Sequence, residues 1–263
     1  MPSSPASQIR TDLRPLDDGG RRAQVIIDRP DKLNVLNSDL IGALRDTFTQ
    51  LSEDEELRAV VLTGAGERAF IGGADITEMR SLTRTSAPVF IEHLHAACAA
   101  IRQCPVPVIA RIQGYCLGGG LEVAAACDLR VAADDAVFAM PEVRVGIPSV
   151  IEAALLPRLI GIGHTRELVL TGDAIDADRA EQWGLVERTV PRAELDDMVE
   201  RWVHSIAAGG RRAIRLQKLL ARQWEGLALD HAVKAGVRSF ASAFDTDEPA
   251  RMMQAFVDRK RAR

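Results

Sequence analysis

Aromatic side chains make up only 4% of the 263 residues, and Lys and Arg (33) are outnumbered by Asp and Glu (37), leaving a net charge of −4. A chain so composed lacks the stacking platforms and the positive field that nucleic-acid binding draws on, so RNA binding through its basic C-terminal tail is a weak reading. No apolar run approaches the roughly 18 residues that a membrane helix needs. The four cysteines (Cys98, Cys104, Cys116, Cys127) form no C-x-x-C pair and sit in apolar or alanine-rich surroundings. They read as reduced, buried thiols of a cytoplasmic protein. Of the histidines only His93 and His95 lie close together, and positions i,i+2 diverge around a helix, so no metal site is expected. The opening "MPSSPASQIRTDLRP" has no apolar signal core and reads as a frayed end.

What is present is an alternation of β-branched runs with amphipathic stretches. "AQVIIDR" and "RAVVLTGA" predict strands, separated by a helix over about 38–53 with apolar Leu40, Ile41, Leu44, Phe48 and Leu51 on one face. "PVPVIARIQG" predicts a third strand behind a helix spanning much of 87–104, and "LRVAA" and "VFAMPE" predict two more. Interleaving of this kind implies an α/β architecture. From about Thr165 onward helical patterns dominate, interrupted by the strand-like "GLVERTVP". These helices are expected to pack on the core or on another subunit, and Trp183, Trp202 and Trp224 among them to be core or interface residues. No sequence repeat is evident.

Within this frame "GYCLGGGLEVAAACD" stands out, because three consecutive glycines precede a helical run. Glycine disfavours helix, so a triplet marks a place where backbone approaches something closely. The G-x-G-x-x-G spacing of dinucleotide folds is absent, and a phosphate loop would need Lys-Ser/Thr where this chain has Leu121 and Glu122. A helix N-terminus whose N–H groups face a developing oxyanion is the remaining option. A second donor is offered by "ERAFIGGADITEM", where Gly72 and Gly73 precede Ala74 and a helix start; a plain tight turn explains that segment equally well. Glu122, near the positive helix end, is expected to be ionised. Glu142, among apolar neighbours, is expected to bind its proton more tightly. Two carboxyls in unlike environments suit acid–base work, though each alone is an ordinary helix-start or loop glutamate.

Together, "RPDKLNVLN", "RAFIGGADITEM", "GYCLGGGLEVAAACDLRVAA", "VFAMPEVRVGIP", "LTGDAIDADRAEQWGLVERTVP" and "FDTDEPARMMQAFVDRKR" resemble the enoyl-CoA hydratase/isomerase (crotonase) superfamily, in order and over nearly the whole chain. The resemblance implies an α/β spiral of ββα turns over residues 1–195, followed by a helical trimerisation region over 196–263, in a homotrimer or homohexamer. It implies an acyl-CoA thioester substrate, coenzyme A being part of that substrate with no separate cofactor, no metal and no membrane or nucleic-acid partner. By the same likeness Ala74 and Gly119 form the oxyanion hole and Glu122 and Glu142 the acid–base pair that hydrates a 2-enoyl-CoA. Lys32, Asp75, Ile76, Thr77, Phe240 and Arg259 then contact coenzyme A, the last two from a neighbouring subunit. Members that only move a double bond keep one of the two acids, so two acids point to hydration over isomerisation, carnitinyl-type hydration or thioester hydrolysis. Two departures bear on the acyl pocket. "SVIEAAL" replaces a glycine-rich stretch after Pro148 and adds Glu152, and Ile71 stands where small residues are common.

Overall fold

The computed structural model describes residues 8–17 and 19–261. The chain opens with β1 (Ile9–Pro15) and β2 (Arg21–Ile27), antiparallel with Ile9 opposite Ile27. The expectation of a frayed start is therefore overturned for Ile9–Pro15, while residues 1–7 lie outside the described residues. β1 is an edge strand exposed along nearly its whole length, so its sequence carries no apolar alternation to betray it.

α1 (Ser38–Ser52) buries Leu40, Ile41, Leu44, Phe48 and Leu51, the five residues of the predicted face. Asn37 caps it by accepting the Leu40 N–H at 3.0 Å. β3 (Leu57–Gly64), β4 (Ala69–Ile71), α2 (Ile76–Met79) and α3 (Ser86–Gln103) make the first full turn of the spiral. β5 (Val108–Ile112), β6 (Tyr115–Leu117) and α4 (Gly119–Ala126) make the second, and β7 (Leu129–Ala133), β8 (Val137–Ala139) and α5 (Leu156–Thr171) the third. β9 (Ile175–Asp176), α6 (Ala177–Trp183) and β10 (Arg188–Val190) close it. In each turn the first strand joins one sheet, ordered β1-β2-β3-β5-β7-β10, and the second joins another, ordered β4-β6-β8-β9. The winding of ββα turns is the one the resemblance implies. It leaves no visible sequence repeat because β4, β6 and β8 are three residues each, too short for a periodic signal.

β3 is buried at all eight positions because both faces of the large sheet are covered. Val60 and Leu62 face the main core with α1 and α3, while Ala59 and Val61 face a second cluster with Leu195, Val199 and Val203 of α7 (Leu195–Ala207). Beyond α7 come α8 (Arg211–Trp224), α9 (Leu229–Ala243) and α10 (Glu248–Arg261), so the tail after Leu227 is two helices. α8 is fastened to the spiral by Lys218, whose Nζ lies 2.6 Å from Asp128, and by Arg215 donating to the Asp54 carbonyl at 2.9 Å. Trp183 packs on the main core and Trp202 on the second, while Trp224 is half-exposed. All four cysteines are buried free thiols.

Candidate active site

After β4 the chain turns through Gly72 and Gly73 alongside the segment that follows β2. Gly72 N–H donates to the Leu33 carbonyl, Leu36 N–H to Gly73 and Asp75 N–H to Leu36, each at 2.8 Å. In this parallel pairing the Ala74 N–H is left out of the ladder and faces the other way. Two residues that sequence reasoning passed over hold the arrangement. Asn34, fully buried at φ +56°, accepts the Arg29 N–H at 2.9 Å and donates to the Ala65 and Ala69 carbonyls at 3.0 and 2.9 Å. Arg29 donates to the Val35 carbonyl at 2.8 Å and pairs with Asp75 at 3.5 Å. The Asn of "KLN" is the one signal that could have been read, since asparagine tolerates left-handed backbone. Asp75 also caps α2, its Oδ1 accepting the Thr77 N–H at 3.0 Å, so its carboxylate is engaged within the protein. Lys32, Ile76 and Thr77, on the two segments that meet at this turn, are exposed.

The three glycines have three different reasons. Gly118 adopts φ +50°, ψ −122°, and a Cβ there would fall 2.3 Å from Glu142 Oε1, so any side chain would strain the backbone and push the acid aside. Gly119 is the first residue of α4, where N–H groups have no acceptor within the helix. A Cβ on it would meet Leu94 Cδ2 at 3.1 Å, and would stand 3.7 Å from Ala74 N and 3.9 Å from Glu122 Oε2. Gly120 presses on β4, its would-be Cβ only 2.3 Å from the Ile71 carbonyl oxygen. The triplet thus sets the Glu142 carboxyl against Gly118, and the Ala74 amide and Glu122 carboxyl beside Gly119.

The two acids differ in surroundings, in the opposite sense to the sequence expectation. Glu122 is only 4% exposed. Burial pushes its carboxyl up to about 8, with the charges of Glu142 and Glu152 adding to the rise and the Ala153 and Val150 amides opposing it. Its Oε1 accepts the Ala153 N–H at 3.2 Å. Glu142 is half-exposed in the 3₁₀ turn Pro141–Val145, its Oε2 accepting the Ser149 hydroxyl at 2.8 Å. The helix start does favour charge on Glu122, but desolvation outweighs it because α4 is buried at every position.

Ser149 and Ala153, which bond the acids, and Glu152, whose charge bears on Glu122, all come from the stretch that departs from the glycine-rich pattern, and nothing in their spacing announced it. Phe240 and Arg259 stand exposed on α9 and α10, and among the described residues no hydrogen bond or ion pair joins them to Lys32, Ile76 or Thr77. A cavity of about 660 Å³ does lie between the end of α3, α8 and the start of α10. Its cations are already committed, Arg102 to Glu225 at 2.6 Å, Arg222 to the Arg102 carbonyl at 3.2 Å and Arg211 to Glu56 at 2.7 Å, and it contains neither of the paired acids.

A model of the enoyl-CoA hydratase/isomerase family matches residues 21–263. A crotonyl-CoA hydratase of Syntrophomonas wolfei is 34% identical over 248 residues, 94% of this chain and 95% of that protein. A short-chain-enoyl-CoA hydratase of Clostridium acetobutylicum is 34% identical over 247 residues, with 94% and 95% covered. The crystal structure of an enoyl-CoA hydratase from Mycobacterium smegmatis matches with a TM-score of 0.90 at 31% identity, covering 96% of each chain.

Proposed function

The chain belongs to the enoyl-CoA hydratase/isomerase family, and from that premise we propose that it adds water across the double bond of a 2-enoyl-CoA thioester to give a 3-hydroxyacyl-CoA. The observation that carries the reading is that the Ala74 amide and the Glu122 carboxyl stand beside Gly119 while the Glu142 carboxyl stands beside the adjacent Gly118. As the water oxygen bonds to the β-carbon, electron density moves to the thioester oxygen, which accepts hydrogen bonds from Ala74 and Gly119 N–H. A donor of this kind is worth about 2.7–4 kcal/mol in the transition state. Glu122 takes a proton from the attacking water, and Glu142, oriented by Ser149, delivers one to the α-carbon. The high proton affinity of Glu122 makes it a strong base once ionised. Lys32, Ile76 and Thr77 line the coenzyme A path, with Asp75 holding their turn through Arg29. Phe240 and Arg259 meet the nucleotide end from a neighbouring subunit, in an assembly built through residues 196–263.

Loss of enoyl-thioester absorbance on mixing with crotonyl-CoA is the test. Glu122→Gln and Glu142→Gln each lower kcat by about 10²–10⁴-fold if the two-acid mechanism holds; either variant retaining wild-type turnover overturns it. The pH profile fixes the roles. With Glu122 as base, kcat/KM rises with pH toward about 8. A profile falling above that pH would make Glu122 the proton donor and Glu142 the acceptor.

A further inference from the structure

A third carboxyl stands against the pair and has no part in the reaction just described. Glu152 lies in the 3₁₀ turn Ile151–Leu155 and is 5% exposed. Its Oε1 is 2.9 Å from His95 Nδ1, and its Oε2 is buried with no hydrogen-bond partner among the described residues. On α3 next to His95, buried Leu94 is what a Cβ on Gly119 would meet, and the Cys98 thiol is buried one turn on, close to both Glu152 and Glu122. The next residue after Glu152 supplies the Ala153 N–H to Glu122 Oε1. Ile151, just before it, is held at φ +37°, a left-handed conformation that a β-branched residue adopts only where its surroundings over-determine it. The His95–Glu152 pair ties this turn to α3, and the Cys98 thiol of the same helix stands beside Glu152 as well.

We propose that Glu152, clamped by His95, is a positioning residue for Glu122, holding the Ala153 amide on the Glu122 carboxyl while keeping a second negative charge beside it. The inference rests on the hydratase reading for its catalytic meaning, but its structural content does not. A glycine at this position leaves the turn free to relax; a glutamate bonded to an outside histidine fixes the turn and loads the base. The two actions oppose each other, since an amide donating to Glu122 favours its ionised form and a neighbouring carboxylate disfavours it. The other groups facing Glu122 are Glu142 on the Pro141–Val145 turn and Cys98 on α3. His95, 57% exposed, opens the Glu152 side of the cluster to solvent.

The opposed actions predict opposite signs for two variants. Glu152→Gln keeps the hydrogen-bond geometry and removes the charge, so the Glu122 carboxyl titrates lower, by roughly one pH unit. His95→Ala frees the turn, weakens the Ala153 contact and makes Glu122 titrate higher. The readout is the side-chain carboxyl resonance of glutamate-labelled full-length protein followed against pH, with the Glu122 signal identified by its disappearance in Glu122→Gln. In the hydratase assay the rise of kcat/KM with pH shifts in the same direction in each variant. An unmoved Glu122 titration in both variants, with only a lower Tm, overturns the proposal, as does a shift of the same sign in both. The resonance measurement needs no turnover, so absence of hydratase activity would sink the functional reading without touching this one. Hydration with an unmoved Glu122 titration would do the reverse.

Discussion

At the scale of single residues the site is a compromise between helix electrostatics and burial, and burial wins at Glu122. A glutamate in an unfolded chain releases its proton near pH 4.5, while the folded one holds it to about 8. Between these values the folded state binds the extra proton, so stability falls as pH rises, by about 1.4 kcal/mol per pH unit, and levels off above 8. Glu122→Gln removes that dependence. Its Tm should exceed that of the wild type at pH 8.5, and the gap should narrow toward pH 5, as thermal unfolding followed by circular dichroism would record. Equal Tm values at both pH values would mean that Glu122 is not desolvated. Gly118→Ala tests the glycine logic: left-handed backbone and an added methyl 2.3 Å from Glu142 Oε1 both oppose alanine. Loss of stability together with loss of turnover is expected, and retention of both would remove the close approach of Gly118 to the acid.

At the scale of elements, legibility followed length and one-sidedness. α1 was readable to the residue because its apolar positions recur with the helix period and all of them are buried. β3 and β7 were readable as short β-branched runs, their burial on both faces leaving no alternation to find. Of the three-residue strands that carry the turns building the site, β8 falls inside the predicted "VFAMPE", while β6 was not predicted, since three residues hold no period. β1 escaped for the opposite reason, as it buries almost nothing. Phe48→Ala, in the fully buried face of α1, should lower stability by about 3–5 kcal/mol in urea unfolding, through lost burial and the cavity left behind. Asn37→Ala, which deletes only the cap, should lower it by about 1 kcal/mol. If the two variants are equally mild, α1 is not packed as described.

At the scale of the whole molecule the spiral is closed but the helices after it are not covered. Along α9, Leu229, Val233, Val237, Phe240 and Phe244 form one apolar stripe on the outside, with Leu229 78% and Phe240 71% exposed. An exposed apolar stripe of that length marks an interaction face. The reading of residues 196–263 as an assembly region predicts a particle of three or six times 28.6 kDa by light scattering. Val237→Glu should shift it toward the monomer and weaken coenzyme A affinity together, because Phe240 and Arg259 are expected to serve a neighbour's site. A monomeric wild-type protein of full activity would end that reading. No described helix is long and apolar enough to cross a membrane, so the stripe is not a membrane span.

By itself the sequence determined the α/β class, the order of the long elements, the family resemblance and the candidate amides and acids. Those follow from local periodicity, from glycine's freedom and from motifs that lie close in the chain. Only the tertiary structure decided which acid is buried, that Gly118, Gly119 and Gly120 each answer a different neighbour, and that Ser149, Ala153, Glu152 and His95 attend the pair. Desolvation and hydrogen-bond partnership depend on what folds over a residue from elsewhere. At Glu122 the covering turn comes from thirty-one residues away, a relation that no local pattern encodes.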